Sequence, residues 1–228
     1  MYTNLKIIAF DADDTLFINE DYLEEAIFEY EILLSRFGVQ DISSTLTNTY
    51  INNLPSYGFG IKGIVLTMIE VAARVGSYGS SDDVISEILN IGKKLLSRKA
   101  ELLPNVFSVL NELKSRYKLV VATKGDLKDQ KRKLRETGLL DYFDHVEVMT
   151  DKNEYDYKTL LGLFSVEPSQ FLMVGNSLRS DIEPVLNIGA HAVHIPYHKT
   201  WEYESVADGK EARNYIKLKS FEDLLTIL

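Results

Sequence analysis

The chain has 228 residues, a formal net charge of −9 and no cysteine. That length can form one large α/β domain, or a core domain with a smaller insertion, and it excludes a mini-protein scaffold. The absence of cysteine excludes disulfide bonds, thiolate metal sites and a cysteine nucleophile, and the acidic charge argues against a general nucleic-acid binder.

The amino-terminal segment predicts a buried strand. Residues 5–10 form a short apolar run, broken only by Lys6, that ends at an acidic cluster beginning with Asp11. This pattern is typical of a parallel strand that is buried on both faces. The run resembles neither a signal peptide nor a membrane span, so we expect a cytoplasmic protein without a membrane partner.

The segment between this strand and about residue 100 predicts only helices. Apolar residues recur at three- and four-residue steps over residues 21–37, which indicates one helix. Further helices are predicted over residues 61–75 and 81–96, and the second of these would be capped by Ser81 or Asp82.

The glycine-rich stretch of residues 54–63 predicts a loop between two of these helices. It is either a mobile segment that faces the substrate or an ordinary helix connection. Glycine content alone does not separate the two interpretations.

The chain changes character after Pro104, where helical and strand patterns begin to alternate. The predicted helices cover residues 105–116, 126–137, 155–164 and 178–188, and the predicted strands cover residues 117–122, 145–149, 170–174 and 191–195. Strands separated by helices indicate a parallel sheet, and the first strand needs the same sheet. We therefore predict an α/β fold, with a Rossmann-like parallel sheet covered by helices on both faces and an inserted all-α cap domain. Residues 1–16 and 101–228 would form the discontinuous core, and residues 17–100 the cap.

Polar side chains follow the predicted strands, at the edge where parallel sheets bind their ligands. In chain order they are Asp11, Asp13, Thr15, Thr123, Lys124, Lys152, Gly175, Asn176, Ser177 and Asp181. Crowded carboxylates repel one another unless a cation is present, and hard oxygen donors of this kind suit Mg²⁺. Thr123 and Lys152 would stabilise the charge that develops in phosphoryl transfer, while Asp11 attacks in line. The sequence thus predicts a site for magnesium and phosphate.

The run Asp11-Ala12-Asp13-Asp14-Thr15 resembles the D-x-D-x-T signature of haloacid dehalogenase-type phosphatases, and the later loops resemble the other three motifs of that superfamily in order. The resemblance spans nearly the whole core. It implies a magnesium-dependent hydrolase of a small phosphate monoester, with Asp11 as nucleophile and Asp13 as general acid and base. The phosphate-binding residues would be Thr123, Lys124 and Lys152, and the Mg²⁺ ligands would be Asp11, Asp13, Asn176 and Asp181.

Two positions need comment against this pattern. Many relatives carry aspartate where this chain has Asn176, and a neutral amide ligand would bind Mg²⁺ more weakly than a carboxylate. Lys158 is an alternative to Lys152 as the phosphate-binding lysine. We favour Lys152, because it follows a predicted strand directly and so lies at the rim of the sheet.

The same residues leave other functions open. A phosphomutase of the same fold differs mainly in how its cap holds an intermediate. A 2-haloacid dehalogenase shares the nucleophile but lacks the second aspartate of the signature, here Asp13. A catalytically silent binding or regulatory protein would fit the substitution at Asn176. A signalling receiver domain is about half this length and phosphorylates an aspartate on a middle strand, so the order of residues here argues against one.

Two other clusters have structural interpretations. His191, His194 and His198 are spaced closely enough to share a metal, but His191 and His194 lie on opposite faces of a strand, which favours packing roles. The basic run over residues 124–135 predicts a solvated helix face rather than a nucleic-acid site.

In the family that this chain resembles, an insertion after the first motif is a helical cap that selects the substrate. Residues 17–100 would then determine specificity, and a closing cap favours a small metabolite. Tyr57, Phe59 and Lys62, which lie in the glycine-rich stretch, are our candidates for the substrate pocket.

Overall fold

The computed structural model describes residues 4–75, 82–204 and 215–228. The chain divides into two compact units. The first unit consists of Met1–Glu20 and Ala100–Leu228, and the second unit is Asp21–Lys99. Ser81, a predicted helix cap, lies outside the described residues.

A parallel sheet forms the centre of the first unit. Its strands in the described chain are β1 (Ile7–Phe10), β2 (Lys118–Thr123), β3 (His145–Val148), β4 (Phe171–Gly175), β5 (His191–His194) and β6 (Ile216–Lys217). Their order is β3-β2-β1-β4-β5-β6, and each strand is parallel to its neighbours. The prediction of an α/β fold with a Rossmann-like parallel sheet is confirmed.

The helices of the described residues follow the predicted order with two additions. They are α1 (Glu20–Ser35), α2 (Ser43–Tyr57), α3 (Ile61–Val75), α4 (Asp82–Ser97), α5 (Val106–Leu113), α6 (Leu127–Glu136), α7 (Glu154–Phe164), α8 (Glu183–Asn187) and α9 (Leu224–Ile227). Of these, α2 and α9 were not expected from the sequence. Short 3₁₀ turns cover Leu140–Tyr142, Pro168–Gln170 and Glu202–Glu204.

The central strands are buried on both faces, which explains their continuous apolar sequence. Successive side chains of a strand point to opposite faces. Ile8 and Phe10 of β1 accordingly pack with α5, α6 and α9, whereas Ile7 and Ala9 pack with α7 and α8. The sheet is therefore a middle layer between two helical layers.

The register of the sheet brings the candidate residues to one edge. Phe10, the last residue of β1, pairs with Val121 of β2 and with Val174 of β4. The residues that follow β1 therefore lie beside the carboxyl ends of its two neighbours, where the ligand site of an open parallel sheet is found.

The predicted helix over residues 178–188 is divided in two. Residues Leu178–Ile182 form a wider π-helical turn, and α8 begins only at Glu183. Pro184 has no N–H to donate to a carbonyl one turn earlier, so a regular α-helical pattern cannot run through this point.

The second unit contains α1 to α4, apart from Glu20 at the start of α1. The Tyr30 hydroxyl donates to the Met68 carbonyl over 2.8 Å and so links α1 to α3. Lys94 of α4 pairs with Glu29 of α1, and Arg98, which directly follows α4, pairs with Glu25 of α1. Nowhere in the described residues is there a helix with both the length and the apolar content needed to cross a bilayer.

The prediction of a loop over residues 54–63 is wrong at both ends. The helix α2 continues to Tyr57 with Pro55 in its last turn, and α3 begins at Ile61. The sequence of α2 is rich in serine, threonine and asparagine, which makes its helical pattern hard to recognise. One face of the helix is nevertheless buried, and its residues have helical spacing. The buried residues of that face are Leu46, Thr49, Tyr50 and Leu54.

Candidate active site

Asp11 is the first residue beyond β1, and its side chain is buried. Its backbone N–H donates to the Val174 carbonyl over 2.9 Å, so the pairing with β4 continues to this residue. The Thr15 hydroxyl lies 3.2 Å from Asp11 Oδ2 and 3.4 Å from Asn176 Oδ1. One hydroxyl thus joins an oxygen of the first loop to an oxygen of the loop after β4.

Lys152 lies between two aspartates. Its ammonium group contacts Asp11 Oδ1 and lies 2.7 Å from Asp181 Oδ1. All three side chains are almost fully buried. The structure therefore brings the residues after β1, β3 and β4 into one charged cluster.

The local sequence fixes Lys152 at this point. Its φ of 53° is in the left-handed region, which is unusual for a residue other than glycine. The next residue, Asn153, caps α7: its side chain accepts hydrogen bonds from the N–H groups of Tyr155 and Asp156, over 2.8 and 3.1 Å. Left-handed residues of this kind are concentrated at functional sites.

Burial and charge act in opposite directions on this cluster. Burial, helped by the nearby charge of Asp181, raises the pKa of Asp11 to about 7 against the lowering effect of Lys152. Burial alone would lower the pKa of Lys152, but Asp11 and Asp181 outweigh it and keep that pKa above its usual value. The lysine is therefore a fixed positive charge beside the candidate nucleophile.

Asp181 is fixed by the loop that follows β4. Its Oδ2 accepts a hydrogen bond from the Ser177 N–H over 3.0 Å. A Cβ atom at Gly175 would lie only 2.2 Å from the same oxygen, so a residue with a side chain cannot replace this glycine without moving Asp181. The Tyr157 hydroxyl of α7 donates to the Ser180 carbonyl over 2.9 Å and supports the turn from behind.

The residues after β2 are Thr123 and Lys124. Thr123 is buried, and its hydroxyl donates to the Lys124 carbonyl over 3.2 Å. The Lys124 ammonium group contacts Glu204 and lies 2.9 Å from the Ser180 hydroxyl. Lys124, one of the two lysines predicted to bind phosphate, thus forms an ion pair with Glu204 in this structure.

Glu204 belongs to this region, although no sequence motif marks it as a functional residue. Its Oε2 accepts hydrogen bonds from the hydroxyls of Ser177 and Ser180, over 2.5 and 2.6 Å. Burial alone would raise the pKa of Glu204, but Lys124 and the two hydroxyls lower it below its usual value. Glu204 therefore links the loop after β2 to the loop after β4.

Asp13 differs from Asp11 in its partners. Its side chain is 29% exposed, its Oδ2 accepts a hydrogen bond from Gln130 Nε2 over 2.9 Å, and its Oδ1 contacts the ammonium group of Lys133. Both donors lie on α6.

The interpretation of the basic run as a solvated face is wrong for Lys133, which is buried against Asp13. Helical spacing could have revealed this, because Lys133 and Leu134 lie three and four residues after Gln130, and Leu134 marks the buried face.

Asp14 has a different position from its neighbours in the acidic cluster. Its φ is 59°, and its carboxylate accepts hydrogen bonds from the N–H groups of Asn19 and Glu20, over 2.9 and 3.0 Å. Burial raises the pKa of Asp14 to about 8, against the lowering effect of these bonds. Its contacts satisfy the backbone at the start of α1.

Lys158, His191 and His194 have partners other than Asp11, Lys152 and Asp181. Lys158 is exposed, and its Nζ lies 3.9 Å from Glu154 Oε2. The imidazole nitrogens Nε2 of His191 and His194 lie 3.2 and 3.0 Å from the backbone carbonyls of Ser169 and Asn176. Of the two lysines considered, it is Lys152 that contacts Asp11.

The donor set fits a hard divalent cation. Across the described residues, no three His, Cys, Asp or Glu side chains converge in a way that could hold a metal ion. The oxygens that the Thr15 hydroxyl joins are instead one carboxylate oxygen, from Asp11, and one amide oxygen, from Asn176. Oxygen donors of mixed charge are typical of Mg²⁺ sites, which also retain several waters.

Known proteins resemble this chain over most of its length. Residues 5–189 match the model of a protein family described as haloacid dehalogenase-like hydrolase. The pyrimidine 5'-nucleotidase YjjG of Escherichia coli (strain K12) is 26% identical over 212 residues, which cover 88% of this chain and 90% of that protein. The glyceraldehyde 3-phosphate phosphatase of Pyrococcus furiosus is 26% identical over an alignment of 240 positions, which covers 98% of this chain and 93% of that protein.

Solved structures resemble the chain over most of its length. A haloacid dehalogenase-like family hydrolase from Xanthomonas campestris has a TM-score of 0.81 and 35% sequence identity, and covers 87% of this chain and 84% of its own. The HAD-hydrolase YfnB from Bacillus subtilis, in a structure bound to magnesium, has a TM-score of 0.68 and 18% identity, and covers 99% of both chains. The likeness to YfnB is one of fold.

Proposed function

Because the chain belongs to the haloacid dehalogenase-like hydrolase family, we propose that it is a magnesium-dependent phosphatase, and that it hydrolyses a small phosphate monoester through a phosphate bound to Asp11. The observation that carries this proposal is the contact of Lys152 with Asp11 and Asp181 at the carboxyl edge of the sheet. A carboxylate nucleophile beside a fixed cation suits attack on an anionic phosphate.

Asp11 forms the new bond in the first step. A carboxylate oxygen attacks phosphorus as the bond from phosphorus to the ester oxygen breaks. Lys152, which contacts Asp11, and the buried Thr123 stabilise the charge on the phosphoryl oxygens in this proposal. Lys124 could join them only by leaving Glu204, which it contacts in this structure.

Asp13 moves the protons. It donates a proton to the ester oxygen as the alcohol leaves, and it then takes a proton from the water that attacks the phosphate on Asp11. Its greater exposure than that of Asp11 fits contact with a leaving group and with water. The second step releases inorganic phosphate and restores the Asp11 carboxylate.

We propose that Asp11, the backbone carbonyl of Asp13, Asn176 and Asp181 bind Mg²⁺, with Asp181 acting directly or through a water. When bound, the ion neutralises the repulsion between the carboxylates and the phosphate. Both oxygens of Asp181 have protein partners, Lys152 and the Ser177 N–H. These partners favour the water-mediated form.

The relatives support phosphate chemistry. The curated relatives compared above are named for a nucleotidase and a phosphatase. A dehalogenase of this fold lacks the second aspartate of the signature, whereas this chain has Asp13 at that position, with a hydrogen bond from Gln130. We further propose that the helical unit of residues 21–99 selects the ester, and that this ester is a small metabolite.

The test is phosphate release from 4-nitrophenyl phosphate and from a panel of metabolite esters that includes a pyrimidine nucleoside 5'-monophosphate and glyceraldehyde 3-phosphate. Each ester is assayed with Mg²⁺ and with EDTA. The wild type is compared with Asp11→Asn and with Asp141→Asn, an exposed aspartate of the same unit.

We expect turnover that requires Mg²⁺, that falls by roughly 10³-fold or more in Asp11→Asn, and that persists in Asp141→Asn. A folded wild type that releases phosphate from no ester would overturn the proposal. So would turnover that survives the loss of the Asp11 carboxylate. Transfer of phosphate within an ester, without release, would identify a phosphomutase instead.

A further inference from the structure

The helix α6 supplies partners to both oxygens of the Asp13 carboxylate. Gln130 Nε2 lies 2.9 Å from Oδ2, and the Lys133 ammonium group contacts Oδ1. Residues three apart on a helix lie on the same face, so α6 presents the amide and the ammonium group side by side.

Gln130 is a rigid donor. It is 2% exposed, and its amide nitrogen also lies 2.9 Å from the Lys124 carbonyl and 3.3 Å from the Thr123 hydroxyl. Its two hydrogens are therefore shared among three acceptors, which fixes the direction of the amide. Because Thr123 and Lys124 follow β2, the amide connects the loop after β1 to the loop after β2.

Lys133 is held near Asp13 by burial. Its side chain is 10% exposed, and a buried ammonium group is costly unless a carboxylate is close to it. Its Nζ contacts Asp13 and lies 4.0 Å from Asp129 Oδ2. The long side chain can thus turn from one carboxylate to the other without losing an anionic neighbour.

We propose that Gln130 and Lys133 are positioning residues, which orient the Asp13 carboxylate for proton transfer to the leaving alcohol. This inference rests on the proposed phosphatase function. Each oxygen of Asp13 has one of these partners in the structure, and one of the two moves aside when Asp13 meets the ester oxygen. Lys133 is the partner that moves, because its ammonium group can pair with Asp129 instead. Gln130 keeps its hydrogen bond and so maintains the orientation of the Asp13 carboxylate.

The test compares two esters that differ in their need for a proton. The leaving group of 4-nitrophenyl phosphate is stable as an anion, whereas that of benzyl phosphate must be protonated as it departs. If Asp13 is the general acid and Gln130 and Lys133 orient it, substitution of either residue must slow the hydrolysis of benzyl phosphate more than that of 4-nitrophenyl phosphate. The quantity to measure is kcat/KM, which reports the steps up to the departure of the alcohol.

The variants are Gln130→Met, Lys133→Met and Asp13→Asn, each checked for folding by circular dichroism and thermal melting. We expect each α6 variant to lower kcat/KM for benzyl phosphate by roughly 10²-fold, the scale of general acid catalysis. The loss for 4-nitrophenyl phosphate should be at least tenfold smaller, roughly 10-fold or less on the same scale. Asp13→Asn should show the same selectivity.

Lys128→Met is the matched control, because Lys128 is an exposed lysine of the same helix. We expect it to leave both rates unchanged. If Lys133→Met does not fold, Lys133→Gln replaces it.

An equal loss on both esters would overturn the positioning role and leave the phosphatase function standing. No loss on either ester would also overturn it. A wild type that cleaves neither these two esters nor any ester of the metabolite panel would remove the function on which the inference rests, and the inference with it.

Discussion

Lys152 Nζ lies 2.7 Å from Asp181 Oδ1 in an ion pair whose two side chains are each 1% exposed. Removal of one partner from a buried pair leaves an uncompensated charge and costs roughly 3–5 kcal/mol. We therefore expect Lys152→Met to lower the free energy of unfolding by about that amount. The measurement is urea denaturation at neutral pH in EDTA.

The control is Lys158→Met, which removes an exposed lysine 3.9 Å from Glu154 and should change the free energy of unfolding by less than about 0.5 kcal/mol. Equal effects of the two substitutions would contradict the buried ion pair.

Gly175→Ala should disturb Asp181 directly. The added methyl carbon would lie 2.2 Å from Asp181 Oδ2. The carboxylate must therefore move and lose its hydrogen bond from the Ser177 N–H. We expect a loss of roughly 1–3 kcal/mol in the free energy of unfolding, which is typical of overpacking. The same displacement should weaken phosphatase turnover.

Gly162→Ala is the control for this substitution. Gly162 lies within α7, and a Cβ atom there would meet nothing within 4 Å apart from its chain neighbours and the backbone of its own helix. Alanine in a helix interior should stabilise the protein by roughly 0.5–1 kcal/mol relative to glycine. If both alanine variants were as stable and as active as the wild type, the close contact at Gly175 would be refuted.

Much of the site follows from strand ends, which the sequence marks clearly. Asp11 and Gly175 each end an apolar run, and parallel pairing brings such positions together. Lys133 was missed because the high charge of the helix outweighed its spacing from Gln130, and its partner Asp13 lies 120 residues earlier in the chain. Glu204 was missed for a similar reason, since its contacts with Lys124, Ser177 and Ser180 arise only when distant loops fold together.

Glu204 should make stability depend on pH. Its pKa is lowered in the folded state by Lys124 and two hydroxyls, despite the opposing effect of burial. A group with a lowered pKa stabilises the fold above its unfolded pKa, near 4.5 here, and loses that contribution as the pH falls through the folded value. We expect Glu204→Gln to be less stable than the wild type by roughly 1.5–3 kcal/mol at pH 7.

The difference between the two proteins should shrink between about pH 5 and pH 3, where Glu204 of the wild type gains a proton. Chemical denaturation at a series of pH values measures it. Glu87→Gln, which breaks an exposed pair with Arg36, should cost less than about 1 kcal/mol. A difference for Glu204→Gln that stays constant over the pH series would show that the ion pair does not stabilise the fold.

Asn176→Asp should strengthen the binding of Mg²⁺. Asn176 Oδ1 and Asp11 Oδ2 lie on either side of the Thr15 hydroxyl, so a carboxylate at position 176 adds negative charge beside Asp11. In EDTA the added repulsion should lower the melting temperature, and with Mg²⁺ the rise in melting temperature should exceed that of the wild type. The measurement is the melting temperature at increasing Mg²⁺ concentration, with Ca²⁺ in parallel. An unchanged response to Mg²⁺ would argue against residue 176 as a ligand.

Tyr57 and Lys62 should influence which ester is used. Tyr57 ends α2, Lys62 lies in the first turn of α3, and the short connection between them includes Phe59. We expect Tyr57→Ala and Lys62→Ala to change the ratios of kcat/KM among the esters of the panel by roughly 10-fold, the scale of one or two pocket contacts. The Tyr57 hydroxyl lies 3.4 Å from Glu70, so thermal melting must accompany the assay to separate specificity from stability. Lys93→Ala, an exposed lysine on α4, is the control and should leave the ratios as they are in the wild type. If the ratios also stayed constant in both test variants, substrate selection would have to be assigned to other residues.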